Sequence, residues 1–302
     1  MKYSHVMMGV GAVAALGLAA SVSTGAKAQG WQPKKPVEFV IMAGKGGGSG
    51  AEALRYLKDK AGDPHIIMST LNSYYTTPLL QPKLGVDISK FTPITRMAED
   101  TFQLWVNVES GITTVKQYVA AVKKAGMKNW KMGGTGSGQE DSRVTKMLEA
   151  KFGIKHTYVP FKGGGTVAKQ LIGKHIDSTV NNPSEQAGFW SAGKSRPLAS
   201  FTPKGKLTDR FGTIPTFEEL GYGSDMVYYM QRSIIAPAGI PKDVQAFYVG
   251  VFKKVYDTPK WQKYMKAKGL VPGWLTGDAL TKYFVAEREA HRKMMMASGE
   301  MK

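Results

Sequence analysis

From Gln103 onward the chain alternates short apolar runs with amphipathic ones, and glycine or proline stands at the joins. Residues 104–108, 130–132, 156–159, 176–180 and 198–201 read as strands, each a brief run of aliphatic, β-branched or aromatic residues between turn formers. Between them, residues 114–125, 138–151, 166–172 and 184–192 carry apolar positions at helical spacing. These helices stop at Gly126, Gly153, Gly173 and Gly193, Thr114 and Gln117 cap the first of them, and Pro160 is read as the end of its strand. Short strands joined by helical crossovers predict a parallel α/β sheet.

A similar unit comes earlier, with a strand over 37–43, a helix over 49–60 and a strand over 65–70. The end of the chain differs: residues 244–256, 259–268 and 278–296 read as three helices, the first with Val244, Phe247, Val251 and Val255 on one face. Two α/β lobes are therefore expected. Lobe one comprises 29–106 and 229–302 and lobe two 107–228, with the chain crossing near Val106 and returning near Tyr228.

The first 28 residues stand outside this pattern. Lys2, an apolar run over 6–20, small polar residues over 21–25 and Ala26-Lys27-Ala28 have the layout of a secretory signal with an A-x-A cleavage site. The expected product is periplasmic and begins at Gln29. The apolar run is too short for a membrane anchor, and no later run approaches that length.

Composition narrows the function. The 302 residues, 42% hydrophobic, suffice for two domains and exclude disorder; the absence of cysteine excludes disulfides, thiolate metal sites and a cysteine nucleophile. A formal charge of +18, or +16 without the leader, points to nucleic acid, a membrane surface or a small anion, and export argues against nucleic acid. Residues 116–174 hold 12 Lys/Arg against 3 Asp/Glu, but at helical spacing through several elements. That reads as a solvated basic face, with steering of anions toward a cleft as the second reading.

Two glycine loops share a design. Gly44 to Glu52 follows one expected strand and Gly133 to Glu140 another, and each ends in Ser-x-x-Glu, so Ser49 with Glu52 and Ser137 with Glu140 are expected capping boxes. Glycines ahead of a helix let backbone N–H groups turn toward an anion, which the helix dipole favours. The alternative is an ordinary turn in which glycine serves sterics alone. Pro160 to Thr166, with Lys162 as a full charge and Phe161 as an apolar wall, and Asn181 to Ser184, with amide donors, are two more loops at strand carboxyl ends, where open α/β sheets bind ligands.

Sharper motifs fail on context. Gly188 to Ser195 spells a P-loop, but a helix precedes it and a strand follows, the reverse of what phosphate binding needs. Gly46, Gly48 and Ala51 fit a dinucleotide fingerprint, yet residues 65–72 hold no acidic residue for a ribose. Ser49 faintly resembles a nucleophile elbow, although His65, His156, His175 and His291 sit in no triad context. Glu287 and His291 lack further ligands for a metal. An exported hydrolase or transferase using Ser49 or Ser137 stays as the alternative function and needs a base that the sequence does not nominate.

The chain resembles the periplasmic solute-binding receptors of tripartite tricarboxylate transporters, the TctC or Bug family. The matching stretches are Lys35 to Val40 leading to Gly46-Gly47-Gly48, Gly134 to Ser137, Val159 to Gly163, Ala192 to Ala199, Ile214 to Gly221 and Ala236 to Pro241. The resemblance implies a two-lobed Venus-flytrap fold that closes on a carboxylated metabolite and presents it to membrane transporter subunits, without catalysis or cofactor and as a monomer. It implies that backbone amides and ordered water hold the carboxylate. By position, the ligand-binding residues would be Gly46, Gly47, Gly48 and Ser49, then Thr135, Gly136 and Ser137, then Phe161, Lys162 and Gly163, and finally Asn181, Asn182 and Ser184. One departure stands out: Gly44 to Gly48 run directly into Ser49-Gly50-Ala51-Glu52, so lobe one is expected to lack a helix and a strand of the family pattern. Tyr74, Tyr75, Phe161, Trp190, Tyr228 and Tyr229 would suit an aromatic acid, with core packing as the alternative for most of them. The expected ligand is a mono- or dicarboxylate, aliphatic or aromatic.

Overall fold

The computed structural model describes residues 30–42 and 50–301. The expected leader and Gly46, Gly47, Gly48 and Ser49 lie outside the described residues. β1 (Glu38–Ile41), α1 (Ala51–Lys58), β2 (Ile66–Thr70), α2 (Ser73–Leu80) and β3 (Thr92–Asp100) come first. They are followed by β4 (Gln103–Asn107), α3 (Val115–Ala125), β5 (Lys131–Thr135), α4 (Glu140–Phe152), β6 (Thr157–Phe161), α5 (Gly164–Ile172), β7 (Ser178–Thr179), α6 (Pro183–Ser191) and β8 (Ser195–Ser200). The last elements are β9 (Met230–Ala236), α7 (Lys242–Tyr256), α8 (Pro259–Lys268), β10 (Val271–Leu275) and α9 (Gly277–Ala297).

The strands form two sheets, in the orders β1-β2-β9-β3-β10 and β6-β5-β7-β4-β8. The chain leaves the first sheet after Asp100 and enters the second at Gln103, so Val106 lies inside β4 of the second sheet. It returns to the first sheet at Met230. The sheets are mixed, and the all-parallel reading is corrected: β1–β2, β5–β6 and β5–β7 are parallel, whereas β4 runs antiparallel to β7 and β8, and β9 antiparallel to β2 and β3. β4 arrives directly from the other sheet rather than through a helical crossover, so nothing obliges it to run parallel.

Alternation along the strands explains how the first sheet is covered on both sides. Ile66 and Met68 of β2 pack with Leu54, Leu57 and Tyr75, while Ile67 between them packs with Ile94, Val244 and Tyr248. Strands buried on both faces lose the polar alternation of a half-exposed sheet. In the second sheet Leu104, Val106 and Met132 join Tyr118, Val144 and Leu148 of α3 and α4, and Trp105 turns the other way onto Val167, Leu171 and Phe211. Each such fully buried side chain contributes roughly 1.5–3 kcal/mol relative to exposure.

Several local readings are resolved physically. Thr114 accepts from the Gln117 amide at 3.1 Å, and Gln117 accepts in return from Thr113 at 2.8 Å, so the capping pair forms. Pro160 does not end its strand. β6 runs through it to Phe161 because β6 is an edge strand, where a missing N–H breaks no ladder. On α7 the buried positions are Val244 and Tyr248, one turn apart, while Val251 and Val255 are exposed, which moves the predicted face. α6 is followed by Gly193 in the left-handed region and then β8, the helix-to-strand order that excludes a P-loop. β1 is the outer strand of its sheet and carries Phe39 and Ile41 about half exposed, at 48% and 56%.

Candidate functional site

The parallel strands β5, β6 and β7 deliver α4, α5 and α6 from the same edge of the second sheet, so three helix N-termini gather there. From the first sheet, β2 leads through Leu71 and Asn72 into α2. The two groups meet directly: the Ser73 amide at the start of α2 donates to the Glu140 carboxylate at the start of α4, over 3.0 Å. Free N–H groups and the dipole at a helix start favour such a carboxylate.

The same chemistry recurs twice more within the second lobe. Thr135, at the end of β5, donates its amide to Asp141 at 2.7 Å. Asn182 donates its amide to Glu185 at 3.1 Å, and the Asn181 side chain donates to the same carboxylate at 2.7 Å, completing a capping box at α6. Glu185 also lies against Gly164, where a Cβ would collide with its carboxylate. Three carboxylates of the protein thus sit on backbone amides at this edge.

Their crowding shows in their acidity. Asp141 is held well above the usual carboxylate range by burial, and the charges of Glu185 and Glu140 add to the effect. Burial, followed by the charge of Asp100, pushes Glu185 up to about 7. Burial likewise raises Asp100, against the opposing pull of the Arg232 guanidinium to which it is paired. Asp100 and its neighbour Thr101, whose carbonyl accepts from the Asn182 side chain at 2.6 Å, lie where the chain crosses between sheets.

Beside the return crossing lies a second polar group. The Asn72 side chain donates to the Tyr229 carbonyl at 2.8 Å and to the Tyr228 hydroxyl at 3.3 Å, and His291 Nε2 of α9 meets that hydroxyl at 3.2 Å. Burial pulls His291 down to about 4, and the charge of Arg143 acts in the same direction. The imidazole is therefore neutral near pH 7. Arg143 itself, on α4, is 1% exposed, and its Nε, Nη1 and Nη2 have no hydrogen-bond partner among the described residues.

The sequence-predicted residues divide accordingly. Thr135, Gly136 and Phe161 come together, since Gly136 donates to the Phe161 carbonyl at 3.0 Å. Gly163 opens α5 beside them, Lys162 and Ser137 are exposed, and Ser184 is half-buried in the first turn of α6. Asn181 and Asn182 are buried, and their side-chain amides bond within the protein. The Ser137/Glu140 capping box does not form: α4 is capped at Gln139, and Glu140 reaches across to Ser73 instead. α1 is capped at Gly50, one residue beyond the position a Ser49/Glu52 box requires. Gly133 and Gly134 serve close packing, against Ile176 and against Tyr158 and Asp141. Trp190 packs on Trp105 and Phe211, and Tyr74 on Phe91 and Phe284, so both are core. Asn72, Ser73, Asp141, Arg143 and Glu185 were not singled out by the sequence motifs, and His291 was considered only as a metal or triad candidate.

Two lobes joined by short crossings, with helix starts converging between them, define the class: a two-lobed α/β binding protein of the periplasmic type. Residues 27–299 match the tripartite tricarboxylate transporter family receptor, TctC, and the chain belongs to that family. A Cupriavidus necator protein, named for its place in the gbd 5′ region, is 26% identical over 258 residues, covering 85% of this chain and 76% of that protein. Among solved structures, R. palustris Rpa4515 with adipate is similar at a TM-score of 0.81 and 19% identity, covering 88% of this chain and 98% of that one. MatC from Rhodopseudomonas palustris with bound malate is similar at a TM-score of 0.74 and 15% identity, covering 86% and 99%. Among the described residues no helix is long and apolar enough to cross a membrane, and no three His, Cys, Asp or Glu residues are placed to hold a metal ion.

Proposed function

We propose that the protein is a periplasmic receptor that binds a carboxylated metabolite between its lobes and delivers it to a membrane transporter, acting as a monomer and without catalysis. The lobes divide at the crossings near Thr101 and Tyr229. One observation carries the reading: the amides of Ser73 and Asn182 at helix starts, one from each lobe, and of Thr135 at the end of β5, each hold a carboxylate of the protein itself. A site whose backbone donors seat carboxylates in this way suits a carboxylate ligand. Thr135, Gly136, Phe161 and Gly163 line that edge in our reading, and Gly46, Gly47, Gly48 and Ser49, outside the described residues, are the contribution proposed for lobe one. Binding to both lobes at once favours the closed arrangement, because only then do both sets of contacts form.

The hydrolase or transferase alternative finds less support. His156 bonds Tyr118 at 2.8 Å inside the second lobe, His65 accepts from the Lys34 amide, and His291 bonds Tyr228, so these imidazoles are engaged as structural groups. Thermal-shift measurements against citrate, C4 to C6 dicarboxylates, amino acids and benzoate-type acids test the proposal. A rise in Tm for one acid class is expected. Flat curves for every acid, with stabilisation by a sugar or a cation, overturn the carboxylate reading.

A further inference from the structure

We infer that Arg143 is the charged anchor of the interlobe site, the residue that selects a ligand carrying a second anionic group beyond the one held by backbone amides. The inference rests on the receptor reading above and names the specificity-determining residue of that site. Glu140 and Arg143 stand three residues apart on α4, so they share a face, and both are almost fully buried, at 2% and 1% exposure. Glu140 crosses to the Ser73 amide of the first lobe. Arg143 is therefore one helical turn from a contact between the lobes.

Its surroundings agree. The positive charge of Arg143 acts on Tyr228 beside the return crossing, on His291 of α9 and on Tyr158 of β6. These groups come from both lobes. Tyr228 and His291 bond to each other, the latter through Nε2, while His291 Nδ1 turns to the Glu287 carbonyl. None of them carries a negative charge that would balance a guanidinium.

The nearby carboxylates are engaged elsewhere. Glu140 is on Ser73, Asp141 on Thr135, and Glu300 on Lys146 at 3.2 Å. A guanidinium stays protonated under all ordinary conditions, and its planar fork matches a carboxylate with two parallel hydrogen bonds. Arg232 shows how this chain treats a guanidinium that holds the fold: it is less buried than Arg143, yet paired with Asp100. Arg143 is more deeply buried and has no partner among the described residues. A buried, permanently charged donor fork next to the interlobe contact fits an anion supplied by the ligand. A ligand with one carboxylate on Arg143 and a second held by the remaining contacts of the site is a dianion.

Calorimetric titration of the full chain with succinate, glutarate and adipate, each beside its monomethyl ester, tests this on the wild type and on Arg143→Met and Arg143→Lys. Wild type is expected to bind its best diacid about 100-fold more tightly than the matching ester, as a desolvated charge pair supports. Arg143→Met should lose about 100-fold on the diacid while its ester affinity moves by less than about threefold, and Arg143→Lys should fall between. Equal diacid affinity in wild type and Arg143→Met overturns the inference while leaving the receptor reading standing. If Arg143→Met does not fold, a wild type that fails to distinguish diacid from ester, or a Lys variant that binds like wild type, overturns it equally. If neither diacids nor esters bind the wild type, both readings fall together.

Discussion

Two guanidinium groups flank the crossings of this molecule, and they are treated in opposite ways. Arg232, on the central strand β9 of the first sheet, is about a third exposed and meets the buried carboxylate of Asp100. Arg143, on α4 of the second lobe, is sealed from solvent and meets no acceptor among the described residues. Folding alone would favour the reverse assignment, since the more deeply buried charge has the greater need of a partner. The contrast separates a group that holds the lobes' junction from one whose charge remains available for another molecule. A buried charge lacking a partner lowers stability, so its presence has to be sought in what the protein binds.

Methionine in place of each arginine separates the two roles most sharply. Arg232→Met leaves Asp100 buried without its cation and is expected to lower the unfolding free energy by about 3–5 kcal/mol, measured by urea denaturation without ligand. Glu140→Gln, which weakens a charged bond from α4 to Ser73 of the first lobe, should lower it by about 1.5–3 kcal/mol. Arg143→Met removes an unpaired buried charge and keeps most of the volume, so its expected effect is a gain of about 1 kcal/mol. A loss above about 3 kcal/mol for Arg143→Met would place it with Arg232 as a structural group and end the contrast.

The smallest expected effects are in pH dependence, and two groups oppose each other. Glu185 has a folded pKa raised to about 7 from an ordinary 4.5, so the folded state binds the extra proton between these values, and stability falls as pH rises through that window. His291 is lowered to about 4 from 6.5, so stability is lost as pH falls through that window. The two slopes partly cancel in the wild type. Glu185→Gln should leave Tm rising from pH 4.5 to pH 6.5, and His291→Gln should leave it falling from pH 4.5 to pH 7. Because the charge of Asp100 helps raise Glu185, Asp100→Asn should also flatten the Glu185 slope, tying this region to the Arg232 side of the comparison.

Much of the second lobe was legible in the sequence because its signals are local. Thr114 with Gln117, Gly153 in the left-handed conformation at the end of α4, and Gly193 in the same conformation after α6 mark helix ends by chemistry that acts within a few residues. α2 escaped because Ser73 to Thr77 are all buried, so no polar face reveals a helical period, and Pro78 sits inside it. β9 escaped because it lies between β2 and β3, placed by pairing with residues more than a hundred positions away.

The candidate site was half legible for the same reason. Glycines ahead of helices pointed to the edge of the second sheet, where Thr135, Gly136 and Phe161 do meet. Glu140 read as a local cap, whereas tertiary contact gave it Ser73. Arg143 was lost among the basic residues of 116–174, yet it is the only arginine in that stretch, the others being lysine. That exchange was the available signal, since arginine suits buried pairing and lysine suits solvent.

The outer edge of β1 has a consequence for how the protein behaves in solution. Its sheet ends there in main-chain donors and acceptors that no described strand covers, next to the half-exposed Phe39 and Ile41. A strand of a second molecule can extend the sheet at such an edge. The strongly positive formal charge, +18 for the full sequence, keeps molecules apart in dilute buffer with or without the leader, and salt removes that repulsion. Light scattering should therefore grow with ionic strength and protein concentration, and affinities measured in high salt would combine ligand capture with self-association.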